Sequence, residues 1–314
     1  MPKKLLIAAD VDRSFHQRAA ADGRFEIIDR PVRTEEELAA IVGACEILVT
    51  RSFNRVTRRV IDSAPGLELI AQGTSGTDNI DHAAADARRI TILNLPGANA
   101  DAVAELVIGL MITLTRTVPA YTREIVRGLW NRDDCATRHE LRHHRLGVVG
   151  LGQVGGRVAR LASVFGMPVS AVDPYISDFG VANRVWSLND LLQTSDILTL
   201  HVPLTAETRR MIGASQLKLM PRGSILINTA RGEVLDQKAA LESLQSNHLA
   251  GLALDVFDPE PPVTGFPDDP RLILTPHIGG CTFEAKSSIG AKLYEKICAF
   301  YEKNSPASAD RGER

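Results

Sequence analysis

A chain of 314 residues is more than one hydrophobic core ordinarily organises, and it predicts two domains. Hydrophobic residues make up 44% and charged residues 24%, which excludes a disordered chain. The net charge is −2 with both signs interspersed, so neither nucleic acid nor an anionic membrane is an expected partner. Cys45, Cys135, Cys281 and Cys298 are scattered without a C-x-x-C pair. That spacing supports neither a disulfide framework nor a zinc site, and it fits the reducing cytoplasm.

The first stretch, MPKKLLIAADVDRS, has an apolar run that ends at Asp10, too soon for a signal peptide with its cleavage site. KLLIAAD (4–10), FEIIDR (25–30), EILVT (46–50), LELIAQ (67–72) and ITILNL (90–95) read as buried strands. Helical stretches such as TEEELAAIVGA (34–44) and DHAAADARR (81–89) alternate with them. AVAELVIGLMITL (102–114) is shorter than the roughly 20 residues of a membrane span and contains Glu105. It reads as a helix buried on nearly all sides, at a domain or subunit contact. A second series of strands follows: RLGVVG (145–150), MPVSAVD (167–173), DILTLHV (196–202), GSILINT (223–229), LAGLALDV (249–256) and RLILTP (271–276). The alternation predicts an α/β protein with two doubly wound parallel sheets, helices on both faces of each. The tail 304–314 is polar and aperiodic, and it is expected to fray.

Two motifs lie close together within residues 139–155. His139-Glu140-Leu141-Arg142-His143 matches the zinc-protease pattern H-E-x-x-H, which works only on a helix that places both imidazoles on one face. Here at most about a turn and a half of helix fits before the strand at Arg145, and isolated helices that short are marginal. No third ligand follows closely, so the match reads as chance and no metal is expected. Gly150-x-Gly152-x-x-Gly155 has the right context instead, with a strand before it and the amphipathic stretch 153–166 after it. Gly150 permits the tight turn, Gly152 lets backbone approach a pyrophosphate, and Gly155 lets helix and strand pack closely. The helix N-terminus offers free N–H groups to phosphates. Asp173 ends the next strand, 18 residues after Gly155, where it would accept from the adenosine ribose hydroxyls. A 2′-phosphate about 4 Å from it would be repelled by on the order of 4 kcal/mol at an effective dielectric near 20. NAD is therefore expected over NADP.

Three further strand ends each place a candidate ionisable residue in a turn bounded by Gly or Pro: Arg231 in NTARG (228–232), Glu260 in LDVFDPEPP (254–262) and His277 in TPHIGG (275–280). Together they suit a 2-hydroxy or 2-keto acid. An Arg holds a carboxylate in a forked geometry. A His passes a proton near neutral pH, and a neighbouring Glu fixes its tautomer and favours the imidazolium.

These stretches, with GLGQVGGRVA, HVPLT (201–205) and AGLALDVFDPEPP (250–262), resemble the D-isomer-specific 2-hydroxyacid dehydrogenases over about residues 45–300. The resemblance implies that Arg231 binds the substrate carboxylate and carbonyl, that Glu260 pairs with His277, and that His277 is the acid/base. It places Gln153 and Val154 at the pyrophosphate, Thr229 and Ala230 on the nicotinamide side and Asp255 at the carboxamide, with His201, Pro203, Gly279 and Gly280 in the same cofactor set. It implies a flavodoxin-like substrate domain from both chain ends (1–98 plus 286–314), a Rossmann domain between them (99–285), and a homodimer.

GTSGTDNID (73–81) resembles the family loop whose N–H groups bind the substrate carboxylate, with Ser75 and Gly76 at the contacting positions. Arg51, in TRSFNRVT (50–57), matches a phosphate-binding Arg of phosphoglycerate dehydrogenases. The leading substrate is therefore 3-phosphoglycerate, oxidised to 3-phosphohydroxypyruvate. The chain stops before any C-terminal regulatory domain, so serine feedback through one is not expected. The alternatives are a glyoxylate or hydroxypyruvate reductase, or a non-enzymatic NAD-sensing protein like the corepressors of this fold.

Overall fold

The computed structural model describes residues 1–303 except 134 and 137, and the tail 304–314 lies outside the described residues. The chain forms two compact units: Met1–Asn99 together with the segment from Thr282 onward, and Ala100–Cys281.

The first unit has strands β1 (Lys3–Ile7), β2 (Phe25–Asp29), β3 (Ile47–Thr50), β4 (Leu69–Gln72) and β5 (Thr91–Leu93). They pair in parallel in the order β2-β1-β3-β4-β5, the flavodoxin-like order. Both faces are covered because alternate residues point to opposite sides. Leu6, Leu48 and Ile70 enter one core, and Leu5, Ile7, Ile47, Val49 and Leu69 the other. This explains why the central strands read as unbroken apolar runs. The helix Glu35–Ile41 begins in a capping box of Thr34 and Glu37, the signature TEEE of the sequence. The last helix, Phe283–Lys303, packs on the helix Arg13–Ala21 and sends Ile289, Leu293 and Ile297 into the second core beside Phe15.

The second unit has β6 (Leu146–Val149), β7 (Val169–Val172), β8 (Asn183–Arg184), β9 (Ile197–Leu200), β10 (Ser224–Asn228), β11 (Leu249–Leu254) and β12 (Leu272–Leu274). They lie parallel in the order β12-β11-β10-β9-β6-β7-β8. The chain starts at β6, winds out through β7 and β8, then returns beside β6 and winds the other way, which is Rossmann topology. The strand order reverses between β6 and β9, and ligands of such sheets bind at the carboxyl ends there. Edge strand β8 escapes sequence reading because it is two exposed polar residues without an apolar run.

The apolar helix departs from its expected burial. It spans Ala100–Thr115 and packs on the helix Gln153–Val164 through residues such as Val107 and Met111. Asp101, Glu105, Gly109, Ile112 and Arg116, spaced by one turn, form an exposed stripe along it. Among the described residues no single helix is long and apolar enough to cross a membrane.

Candidate active site

The turn after β6 is shaped by what its glycines exclude. Gly150 has φ of 88° and passes so close to the His201 carbonyl that a Cβ would sit 2.8 Å from it. A Cβ on Gly155 would lie 2.0 Å from the Gly150 carbonyl, so the helix Gln153–Val164 abuts the turn only because that side chain is absent. Gly152 is different, because a Cβ there would meet nothing within 4 Å. Its bareness serves no protein contact and leaves room for a ligand. Gly152 is also the N-cap, and no side chain accepts from the first N–H groups of the helix, those of Gln153 and Val154. The donor set suits a pyrophosphate. Asp173, at the end of β7, braces the turn: Oδ2 accepts from Leu151 N–H and Oδ1 from Tyr175 N–H, both at 2.8 Å. A carboxylate has about four lone-pair positions, so two remain for a ribose.

Further along the carboxyl edge, His201 Nε2 lies 2.9 Å from Thr199 Oγ1. Burial pushes the His201 imidazole down to about 3, so it is neutral at pH 7. Pro203 follows it and is exposed. Thr229 Oγ1 is buried and has no hydrogen-bond partner among the described residues. Buried hydroxyls are rarely left so, and an amide-bearing ring such as nicotinamide would supply the partner. The site therefore fits NAD on geometry as well as on sequence.

Arg231 leaves β10 through a tight turn. Asn228, fully buried, donates from Nδ2 to the Arg231 carbonyl at 2.9 Å and accepts the Ala230 N–H at 3.0 Å. Arg231 Nη1 donates to the Ala230 carbonyl at 2.7 Å. After β11, Asp255 holds the loop that carries His277. Its Oδ1 accepts from Thr275 Oγ1 at 2.6 Å and Ile278 N–H at 2.8 Å, and its Oδ2 from Gly279 N–H at 2.9 Å. Its carbonyl accepts the His277 N–H at 2.9 Å. His277 sits in the left-handed region with φ of 55°, a conformation that needs such support in a non-glycine residue. Gly279 lies against the Asp255 carboxylate, where a Cβ would approach within 2.9 Å, and Gly280 continues the loop.

His277 Nδ1 then meets Glu260 Oε1 at 2.5 Å. Burial opposes ionisation of Glu260. The His277 hydrogen bond and charge, the Phe257 N–H and the Arg231 charge outweigh it and hold the carboxyl below its ordinary value. The carboxylate accepts from Nδ1–H, which leaves Nε2 to exchange a proton with a ligand. The three ionisable residues, more than 45 positions apart in sequence at their extremes, are thus brought to one edge of a single sheet.

The other predicted contacts lie in the first unit, at the carboxyl ends of β3 and β4. Arg51 follows β3, and its Cγ lies 3.5 Å from where a Cβ of Gly73 would be, so its stem runs along the 73–81 loop. Ser75 turns its hydroxyl inward, donating to the Leu95 carbonyl at 3.1 Å and accepting the Gly97 N–H at 3.2 Å. Only its backbone, with that of Gly76, is left to face a ligand.

Residues 108–279 match the family model of the D-isomer specific 2-hydroxyacid dehydrogenases, NAD binding domain. The chain belongs to this family. It is 40% identical over 274 residues to a D-3-phosphoglycerate dehydrogenase of Methanocaldococcus jannaschii, covering 84% of this chain and 51% of that protein. It therefore spans about half the length of that relative. It is 37% identical to a hydroxypyruvate reductase of Thermotoga maritima, covering 84% of this chain and 87% of that one. Its fold is similar to that of a D-lactate dehydrogenase from Aquifex aeolicus complexed with NAD and lactic acid, with TM-score 0.84, 27% identity, and 99% and 97% of the two chains covered.

As a 2-hydroxyacid dehydrogenase family member, the chain carries its NAD-binding domain in the Rossmann unit. The H-E-x-x-H match is no helix there: Leu141–His143 is a single 3₁₀ turn, and Glu140 pairs with Arg142 at 2.9 Å. Asn228 and Thr275 stand in stretches the sequence singled out, but their bracing roles were not read there, although an Asn closing a buried strand before a turn is a signal that could have found the first.

Proposed function

We propose that this chain is an NAD-dependent oxidoreductase that interconverts a D-2-hydroxy acid and its 2-keto acid, with 3-phosphoglycerate and 3-phosphohydroxypyruvate as the pair. The observation that carries the reaction class is the 2.5 Å His277–Glu260 hydrogen bond on the sheet edge that also bears Arg231 and the glycine turn. In the oxidation direction neutral His277 takes the substrate hydroxyl proton on Nε2. Glu260 stabilises the resulting imidazolium through Nδ1–H. Arg231 binds the carboxylate and directs the α-carbon hydrogen. Bound NAD⁺ supplies the hydride acceptor. Acid–base assistance of this kind contributes roughly 10²–10⁴-fold.

In the same reading Gly150, Gly152, Gln153, Val154 and Gly155 hold the pyrophosphate, and Asp173 the ribose. His201, Pro203, Thr229, Ala230, Asp255, Gly279 and Gly280 line the rest of the cofactor. Three of the roughly four lone-pair positions of Asp255 are occupied within the protein, which leaves one for a carboxamide. Residues 1–98 together with 286–314 act as the substrate domain, with the carboxylate on the N–H groups of Ser75 and Gly76 and the phosphate on Arg51. The choice of 3-phosphoglycerate is supported by Arg51 and by the named activity of the Methanocaldococcus relative. The Thermotoga relative, covered over 87% of its length, favours hydroxypyruvate as the second reading.

A homodimer in the cytoplasm completes the reading. Val126 and Trp130 are 82% and 77% exposed, and with Ile112, Val118 and Ile125 they line a surface concavity of about 710 Å³. A second copy of the chain would cover this apolar surface.

The test is NADH absorbance with a panel of phosphorylated and plain 2-keto acids, wild type beside Arg51→Ala. Phosphate recognition requires that Arg51→Ala lose activity on phosphohydroxypyruvate and keep it on hydroxypyruvate. Equal losses favour the second reading. Tight NADH binding with no turnover of any acid would leave an NAD-sensing protein.

A further inference from the structure

A chain of polar side chains runs beneath the two loops assigned to substrate, from the buried Thr50, Gln72 and Asn54 to the half-buried Thr74 and Asn79. Thr50 and Gln72 end β3 and β4, pair in register, and are both fully buried. Thr50 Oγ1 donates to Gln72 Oε1 at 2.6 Å. Gln72 Nε2 donates to Asn79 Oδ1 and Thr74 Oγ1, each at 2.9 Å, and lies 3.2 Å from the Gly76 carbonyl. Asn79 Nδ2 donates to the Asn54 carbonyl at 2.7 Å and the Arg51 carbonyl at 3.2 Å. Asn54 is 2% exposed. Its Oδ1 accepts the Arg51 N–H at 3.0 Å, and its Nδ2 donates to the Ala8 and Val32 carbonyls at 3.2 and 3.1 Å.

The direction of the chain is fixed. Reversing the Asn79 amide would set its NH₂ group against that of Gln72, and reversing the Asn54 amide would set its NH₂ group against the Arg51 N–H and its oxygen against the Ala8 and Val32 carbonyls. Such a network adds little to stability over well-packed apolar side chains and is costly when half satisfied. What it does is mechanical. It joins the segments that follow β1, β3 and β4, and β1 and β3 flank the point where this sheet's strand order reverses.

We propose that Gln72 is a positioning residue that, through Asn79 and Asn54, holds the Ser75–Gly76 loop and the Arg51 loop in one common arrangement. The two anion-binding elements are then preorganised as a pair with fixed spacing. This selects acids with two anionic ends over acids with one. The inference rests on the proposed assignment of both loops to substrate.

The experiment uses the full chain with Gln72→Met, which keeps volume and removes the amide. Amide hydrogen exchange is followed at residues 51–54 and 74–79. KM is measured for phosphohydroxypyruvate and for hydroxypyruvate, and Kd for NADH. The expected result is faster exchange in both loops. KM for the two-anion acid rises about tenfold, from orphaned buried acceptors, while kcat and hydroxypyruvate KM move much less. NADH binding stays within about twofold. Faster exchange confined to 74–79, the loop Gln72 touches directly, overturns the proposal. Faster exchange in both loops with KM unchanged for every acid removes the substrate assignment and leaves the coupling standing. Thr50→Val deletes a single hydroxyl from the same chain and gives the same pattern at smaller amplitude if Gln72→Met does not fold. Thr50→Ser, which keeps the hydroxyl, restores wild-type values, and failure of that rescue also counts against the proposal.

Discussion

Replacing Gly232 by Ala adds one methyl group where backbone already lies. The new Cβ would fall 1.9 Å from the Phe257 carbonyl oxygen, 2.0 Å from its carbon and 2.7 Å from Asp258 N. To reach even a tight 3.0 Å contact, the segments carrying Arg231 and Glu260 must separate by about 1 Å. No flexible side-chain end is involved, so the shift falls on the backbone between Asp255 and Glu260. A misplacement of about 1 Å in a catalytic constellation lowers turnover on the order of 10²-fold. Overpacking of this kind costs roughly 1–3 kcal/mol, or about 2–10 °C in Tm for a domain of this size. The assay is kcat/KM by NADH absorbance beside Kd for NADH by fluorescence titration. The glycine turn lies elsewhere on the sheet and keeps its pyrophosphate contacts, so NADH affinity, which Asp255 and Ala230 touch only in part, weakens by less than kcat/KM falls. Near-wild-type turnover in Gly232→Ala would refute the claim that this contact sets the distance from the guanidinium to the His277–Glu260 pair.

Gly152→Ala should do the reverse. Its Cβ meets no protein atom within 4 Å, so Tm is unchanged, whereas NADH affinity by calorimetry drops about tenfold or more because the methyl fills the phosphate approach. His277→Ala lowers kcat by roughly 10²–10⁴-fold and leaves NADH Kd within about twofold; equal kcat in the two proteins disproves the acid/base assignment. The Arg145 hydrogen bonds hold the Asp196 carboxyl below its ordinary 3.8, with burial opposing them. A lowered folded value means that the stabilisation is complete above about pH 4 and is lost as pH falls through the folded pKa. Asp196→Asn therefore destabilises at pH 7, by up to about 1 kcal/mol given the exposed Arg145, and its deficit in urea melts shrinks below pH 4. A deficit constant down to pH 3 would contradict the pairing.

Much of this protein is written locally. Apolar runs of the period and length of strands, alternating with helical stretches, dictated two parallel sheets, because a strand buried on both faces must be apolar throughout. G-x-G-x-x-G between a strand and a helix marked the dinucleotide turn, and Gly155 answers a local contact, with the Gly150 carbonyl, whereas the contact that requires Gly150 is with His201 on a neighbouring strand end. Strand-end Arg231, Glu260 and His277 were legible as types in turns. What no local pattern contains is distance across the sheet. The 2.5 Å contact of His277 with Glu260 and the four bonds by which Asp255 holds the His277 loop arise only once β10, β11 and β12 lie side by side. The exposed stripe on Ala100–Thr115, the inward hydroxyl of Ser75 and the amide chain from Gln72 to Asn54 were likewise decided by tertiary packing. A hydrophobic period states that a side chain is buried, and a polar residue in a turn states that it needs a partner. Which partner it finds depends on strand order and register, and those are set by how the whole chain packs.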